Sequence, residues 1–325
     1  MRLRRLPTAA VAIAAVVALT ACGGQRQPSG SGTASGGRLT IATGNTTGVY
    51  YQLGGALASV ISQKVSGYRA TASETGASVQ NIQGLVAGNY DIAFSLGDTA
   101  SDAVKGEHSF TSKQDVVALT RLYNNYTQVA VRTSAGINSI ADLKGKRVST
   151  GSPNSGTEVI ARRLLTAAGL DPAKDVTAQR LGLPESVDAM KSGSIDALVW
   201  SGGLPTGGIT DLVTSMGKGV KLLPIADLLP KLEEKYGSVY AQAPIPAATY
   251  KQAADVPTIV VPNVLLVRKD MKDDLAEQLT KVVYDNLDAL VAVNAAAKGI
   301  TLDNADKTDP VPLHPGAKKA IDGLR

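Results

Sequence analysis

Most of the side chains in this sequence that could do chemistry lie in short polar loops. Gly151-Ser-Pro-Asn-Ser-Gly-Thr-Glu158 has the glycine spacing of a phosphate-binding loop, but Thr157 and Glu158 stand where such a loop needs Lys and Ser/Thr. The missing Lys removes the charge that would hold phosphates. What remains is a helix start suited to an anion: N–H groups with no intrahelical acceptor, the positive end of a helix dipole, and Ser155 three residues before Glu158 as a capping box. Alone, this describes a well-capped helix as well as a binding site. A second loop of similar design, Gly44-Asn-Thr-Thr-Gly48, favours binding. Tyr50 and Tyr51 follow it directly, and neighbours on a helix diverge. Either one closes over a ligand, or the pair is a core and a surface tyrosine. Ser73-Glu-Thr-Gly-Ala-Ser-Val-Gln-Asn81 reads as strand end, turn and helix start, with Thr75, Ser78 and Asn81 as candidate donors and helix capping accounting for at least one of them.

Catalytic and metal chemistry find little support. The chain has 2 His (His108 and His314) and 1 Cys, with no HExxH or GxSxG motif. Ser215-Met-Gly-Lys218 matches SxxK but lacks the companion SDN and KTG motifs. Asp91 and Asp196 open apolar runs after a glycine, where a turn-forming role is expected. The expectation is a binding protein with no catalytic residues, metal or cofactor; an α/β enzyme is the alternative from another class.

The elements that must position these loops form a duplicated pattern. Leu39–Thr43 is a β-branched run leading into the first glycine loop, after which Val49, Leu53, Ala56, Leu57, Val60 and Ile61 recur at helical spacing. Arg147–Thr150 leads into the second loop, and Val159, Ile160, Leu164 and Leu165 recur until Gly169 and Pro172 stop the helix. Ala87–Phe94 is then matched by Ser192–Val199, with 48 residues from Thr43 to Asp91 and 46 from Thr150 to Asp196. The fold class is therefore α/β, with two lobes that are each a mainly parallel sheet flanked by helices and a ligand cleft between them. Thr127–Thr133 and Thr258–Val267 are the expected crossings. Lobe I takes 38–128 and 262–325, and lobe II takes 129–261.

The first residues read as an address. Arg2, Arg4 and Arg5 precede an apolar stretch, Ala9–Leu19, that is too short to span a bilayer comfortably and closes on Leu19-Thr-Ala-Cys22. This resembles a bacterial lipobox: 1–21 a signal peptide, Cys22 the lipidated residue, and 22–37 a Gly/Ser/Pro-rich tether. The expected location is extracytoplasmic, anchored to the cell membrane. Of 33 Lys and Arg residues, three lie in the signal, so the mature chain carries 30 basic against 28 acidic side chains. The dispersed charge and few stacking aromatics give no nucleic-acid surface.

Four ordered motifs carry a resemblance: Thr43–Tyr51; Gly145-Lys-Arg-Val148 with Gly151–Thr157; Trp200–Leu212; and Val311-Pro-Leu-His-Pro-Gly316. Together they are similar to the TAXI family of TRAP transporter solute-binding proteins. The resemblance implies a two-lobe periplasmic-binding-protein fold (type II-like), a monomer that captures a small anionic or zwitterionic solute such as glutamate, glutamine or 2-oxoglutarate, and delivery to a TRAP membrane permease. A lipoprotein presenting ligand to a sensor kinase is a second binding-class reading. Carried over by residue, the ligand contacts implied are Gly44, Thr47, Tyr50, Thr75, Ser78, Asn81, Ser152, Ser155, Gly156, Thr157, Trp200 and Thr206. No arginine clamp stands out, Arg132 and Arg180 being the candidates.

Overall fold

The computed structural model describes residues 37–325. The signal segment, Cys22 and nearly all of the tether lie outside the described residues. The chain begins β1 (Arg38–Ala42), α1 (Val49–Lys64), β2 (Arg69–Ser73), α2 (Ser78–Val86), β3 (Ile92–Leu96) and α3 (Gly97–Lys105). A long strand, β4 (Val116–Arg132), leads to β5 (Arg147–Ser149), α4 (Gly156–Ala167), β6 (Thr177–Gln179), α5 (Leu183–Ser192), β7 (Ala197–Gly202) and α6 (Gly207–Met216). Then come β8 (Val220–Leu222), α7 (Leu229–Tyr236), β9 (Ala241–Ile245), a second long strand β10 (Val256–Arg268), α8 (Asp273–Asp285), α9 (Leu287–Val293) and α10 (Pro315–Leu324).

These strands make one mixed sheet in the order β2-β1-β3-β10-β4-β7-β5-β6, with β9 paired to β10 and β8 to β4. In one half β2, β1 and β3 run parallel and β10 is antiparallel to β3; in the other β6, β5 and β7 run parallel and β4 is antiparallel to β7. The two halves thus repeat one topology, and β4 and β10 pair with each other along the midline. The crossing at Thr127–Thr133 belongs to a much longer element. β4 begins at Val116 because Val116–Leu122 is as apolar and buried as the anticipated segment.

Each half is covered on both faces, which is why its central strands read as unbroken apolar runs. In the first half, Ile41 and Phe94 pack under α1 and α8, while Ala42 and Ala93 pack under α2 and α3. In the second, Val148 and Val199 face α4 and α7, whereas Leu198 faces α5 and α6. The duplicated aspartates do the same structural task. Asp91 Oδ2 accepts from Thr40 N at 2.8 Å while Asp91 N donates to Thr40 O at 2.9 Å. Asp196 Oδ2 accepts from Arg147 N at 2.9 Å while Asp196 N donates to Arg147 O at 2.8 Å. Each Asp ties the start of a third strand to the first strand of its half.

A buried ion network joins the halves at α3 and α4. Arg163 donates to Asp98 at 3.2 Å, to Asp102 at 2.6 Å and to the Tyr240 hydroxyl at 2.8 Å. Tyr240 in turn donates to Asp98 at 2.6 Å. The Arg163 guanidinium also lies 4.2 Å from the centre of the Tyr236 ring. Burial raises the Asp102 carboxyl and Arg163 opposes it.

Candidate functional site

The first turns of three helices open onto one cavity between the halves. Gly48, Val49 and Tyr50 come from α1, Ala77 and Ser78 from α2, and Ser155, Gly156 and Thr157 from α4. Two of these helices belong to one half of the sheet and the third to the other. The first N–H groups of a helix have no intrahelical acceptor, and the macrodipole makes each start electropositive. Among the described residues lining the cavity, none carries a charged side chain. The cavity and its mouth together measure about 430 Å³.

Local sequence explains these starts. Ser155 caps α4, its Oγ accepting from Glu158 N at 2.9 Å. The expected capping box is only half present: the Glu158 carboxylate takes the N–H of Asn154 at 2.9 Å rather than that of Ser155. Gly151 turns the chain into this loop at φ +94°, a conformation L side chains rarely adopt. Gly156 permits close approach of the halves, since a Cβ there would lie 2.5 Å from Leu96 Cδ1 and 2.7 Å from Ser78 Oγ. Ala77, preceding α2, sits at φ +83°, a strained position at the cavity wall.

Eight of the twelve residues expected at the ligand line the cavity: Gly44, Tyr50, Ser78, Ser152, Ser155, Gly156, Thr157 and Trp200. Thr47, Thr75, Asn81 and Thr206 do not. Asn81 is fully buried and donates to Thr43 O at 2.7 Å and to Phe94 O at 2.8 Å, while Thr75 Oγ1 donates to Asn81 Oδ1 at 2.6 Å. Both serve to hold α2 on the sheet. Thr206 Oγ1 donates to Gly203 O at 2.7 Å and accepts from Trp200 Nε1 at 3.2 Å, so it positions the indole from behind. Thr47 faces the start of α6, and its hydroxyl is buried without a partner.

Tyr50 is not a lid. It is 8% exposed, packs against Phe94 at 5.1 Å between ring centres, and donates its hydroxyl to Asn263 Oδ1. Burial raises its pKa well above the ordinary value, partly offset by Ser78, so it serves as a neutral part of the cavity floor. Tyr51 is the exposed member of the pair. Neither candidate arginine lines the cavity: Arg180 pairs with Glu158 at 2.6 Å, and Arg132 donates to Met190 O at the end of α5.

Four polar lining residues were not among the ligand contacts expected: Asn45, Tyr123, Asn125 and Ser201. Asn45 spans the cleft, donating to Ser152 Oγ at 3.2 Å and accepting from Leu183 N at 2.9 Å. Gln80 N adds a second crossing bond, to Asn154 O at 3.0 Å. Asn125 and Asn263 stand side by side on β4 and β10, Asn263 Nδ2 donating to Asn125 Oδ1 at 2.8 Å. Away from the cavity, Asp102, Glu107 and His108 each bring a ligand atom within 4.8 Å of the others, a cluster no sequence motif announces. Asp102 there is already committed to Arg163.

The model of the NMT1-like family matches residues 41–321, which takes in both halves and every residue of this cavity. The chain belongs to the NMT1-like family. Solved structures agree on the architecture. A protein from Bordetella bronchiseptica RB50 is 20% identical with a TM-score of 0.55, and the match covers 88% of each chain. The binding-protein component of an ABC phosphonate transporter from Pseudomonas aeruginosa is 13% identical with a TM-score of 0.53, over 81% of this chain and 80% of that one. An ancestral arginine-binding protein bound to arginine is 18% identical with a TM-score of 0.51, over 81% of this chain and 99% of that one. At these identities the likeness is one of fold: an α/β chain whose mixed sheet is flanked by helices. The expected resemblance holds at the level of solute-binding proteins, and the narrower TAXI assignment does not follow from it.

Proposed function

We propose that the chain is an extracytoplasmic solute-binding subunit of a membrane transporter, holding a small carboxylate in the cavity between its halves. The observation that carries this reading is the convergence of three helix starts, from both halves, on one cavity whose lining has no charged side chain. A carboxylate held there would receive hydrogen bonds from N–H groups and from the hydroxyls of Ser78, Ser155 and Thr157. Each of these hydroxyls accepts one bond from the backbone, from Leu96 N, Glu158 N and Ser201 N respectively, which leaves the hydrogens of Ser155 and Thr157 for a ligand, while that of Ser78 is shared with the Tyr50 oxygen. Binding closes the halves about β4 and β10, and the solute leaves unchanged when they part. The site residues proposed are the eight lining residues named from the sequence, with Asn45 added.

Cys22 is the proposed lipid anchor. The partner proposed is a TRAP permease driven by an ion gradient, on the strength of the four motifs similar to the TAXI family. An ABC permease is the second reading, favoured by the phosphonate-transporter component among the similar folds. The domain bounds proposed are those of the sequence reading, with β4 and β10 as the shared hinge.

Trp200 is the chain's one tryptophan and lines the cavity. Its fluorescence should change in a saturable way when a bound carboxylate is titrated in, and the carboxylate should be recovered intact. A panel of carboxylates that leaves both the fluorescence and the thermal midpoint unmoved contradicts the reading. Uptake into membrane vesicles from the source cell, with the purified protein added, separates the partners: dependence on an ion gradient supports TRAP, and dependence on ATP supports ABC.

A further inference from the structure

Two hydroxyls of residues in the cavity wall have no hydrogen-bond partner among the described residues: those of Tyr123 on β4 and Ser201 on β7. Both residues are more than nine-tenths buried, at 2% and 5% exposure. A buried hydroxyl without a partner costs free energy, and such groups are few in native proteins. Their neighbours in the wall are engaged. Asn45 and Ser152 bond each other, and Asn125 accepts from Asn263 and donates to Ser201 O at 3.2 Å. Burial, with Tyr50 adding to it, raises the Tyr123 pKa well above the ordinary value, so its hydroxyl keeps its proton as a donor.

The charge around the cavity is one-sided. Asp98 is spent on Arg163 and Tyr240, and Glu158 on Arg180 and the Asn154 N–H. The helix starts present positive potential from three directions. A carboxylate gains from this arrangement. An ammonium in the same space would lose its water, find no carboxylate, and face the positive ends of three dipoles.

We propose that the cavity selects carboxylates that carry no ammonium group, and that Tyr123 and Ser201 hold the solute's second polar oxygen, such as the oxygen of a 2-oxo acid. This deepens the binding reading above and rests on it. The helix starts take the carboxylate, while the two strand hydroxyls donate to a neutral acceptor that a 2-amino acid lacks at that position.

Matched pairs test it by calorimetry: pyruvate against L-alanine, 2-oxobutyrate against L-2-aminobutyrate, and 2-oxoglutarate against L-glutamate. In whichever pair binds, the oxo acid should bind at least tenfold more tightly. Tyr123→Phe and Ser201→Ala should each weaken the oxo acid about fivefold or more while leaving the thermal midpoint of the unliganded protein unchanged or higher, because each removes a hydroxyl that had no partner. A purely structural role would lower that midpoint instead. An amino acid that binds as tightly as its oxo counterpart overturns the proposal, as does unchanged oxo-acid affinity in both variants. If no member of any pair binds, the carboxylate reading itself falls and the selectivity falls with it.

Discussion

Asn45 Nδ2 donates to Ser152 Oγ at 3.2 Å, and Ser152 Oγ returns its hydrogen to Asn45 Oδ1 at 3.3 Å. The two glycine loops, 107 residues apart, are thereby fastened to each other across the cleft. Asn45 Oδ1 also caps the start of α5 through Leu183 N, so one amide touches both neighbours on the opposite half. Hydrogen bonds of this kind contribute about 0.5–1.5 kcal/mol each. Asn45→Ala should therefore weaken solute binding by roughly tenfold. The unfolding midpoint of the unliganded protein should barely move, because the bonds lost belong to the closed form. Trp200 fluorescence titration measures the first and urea unfolding the second.

Tyr50 yields a prediction opposite to that of a lid. Its hydroxyl is the donor for buried Asn263 Oδ1, so Tyr50→Phe should cost about 1–3 kcal/mol of stability. Tyr50→Ala removes the ring packed on Phe94 and should cost about 3–5 kcal/mol. Denaturant unfolding measures both. A lid would lose affinity and keep its stability.

Arg163 serves two buried carboxylates, and removing it leaves both uncompensated. Arg163→Leu should destabilise the protein by about 3–5 kcal/mol. Adding Asp98→Asn and Asp102→Asn together should recover much of that loss, because the double neutralisation removes the stranded charges. Urea unfolding of the three proteins decides it.

Asp196 sets a pH dependence. Hydrogen bonds from the Arg147 side chain, with the Arg147 N–H and charge adding to them, hold the Asp196 carboxyl below the ordinary carboxylate range. The ionised form is thus favoured in the folded state. Stability from this pair is present above the unfolded carboxylate pKa and is lost as pH falls through the lower folded one. The stability gap between wild type and Asp196→Asn should accordingly be widest near neutrality and shrink in acid. A gap that grows on acidification would contradict this.

Much of the architecture is legible because duplication writes it twice. The loops at Gly44 and Gly151, the helix starts after them and the brackets at Asp91 and Asp196 are all local patterns. The cavity floor is not local. Tyr123 and Asn125 lie on β4 upstream of the segment expected to cross between the halves, within a run that reads simply as a buried strand. Which of their side chains meet the cavity depends on the pairing of β4 with β10, whose register shifts between Pro262 and Val264. Thr75, Asn81 and Thr206 show the reverse problem. Their residue types suit a ligand, but the protein itself uses them: Thr75 donates to Asn81 Oδ1, Asn81 to the backbone oxygens of Thr43 and Phe94, and Thr206 to Gly203 O. His314, within one of the resembling motifs, likewise caps α10, its Nδ1 accepting from Gly316 N at 3.1 Å.

The central claim is that the two halves close on one solute, and Gly156 tests it most directly. A Cβ at this position would lie 2.5 Å from Leu96 Cδ1 and 2.7 Å from Ser78 Oγ, a clash that parting the halves should relieve. Overpacking of this kind costs about 1–3 kcal/mol, which is roughly ten- to a hundredfold in affinity. Calorimetry of Gly156→Ala with the best-binding carboxylate should show that loss, with the urea midpoint of the unliganded protein unchanged. Affinity equal to wild type in this variant would contradict closure of both halves around the ligand.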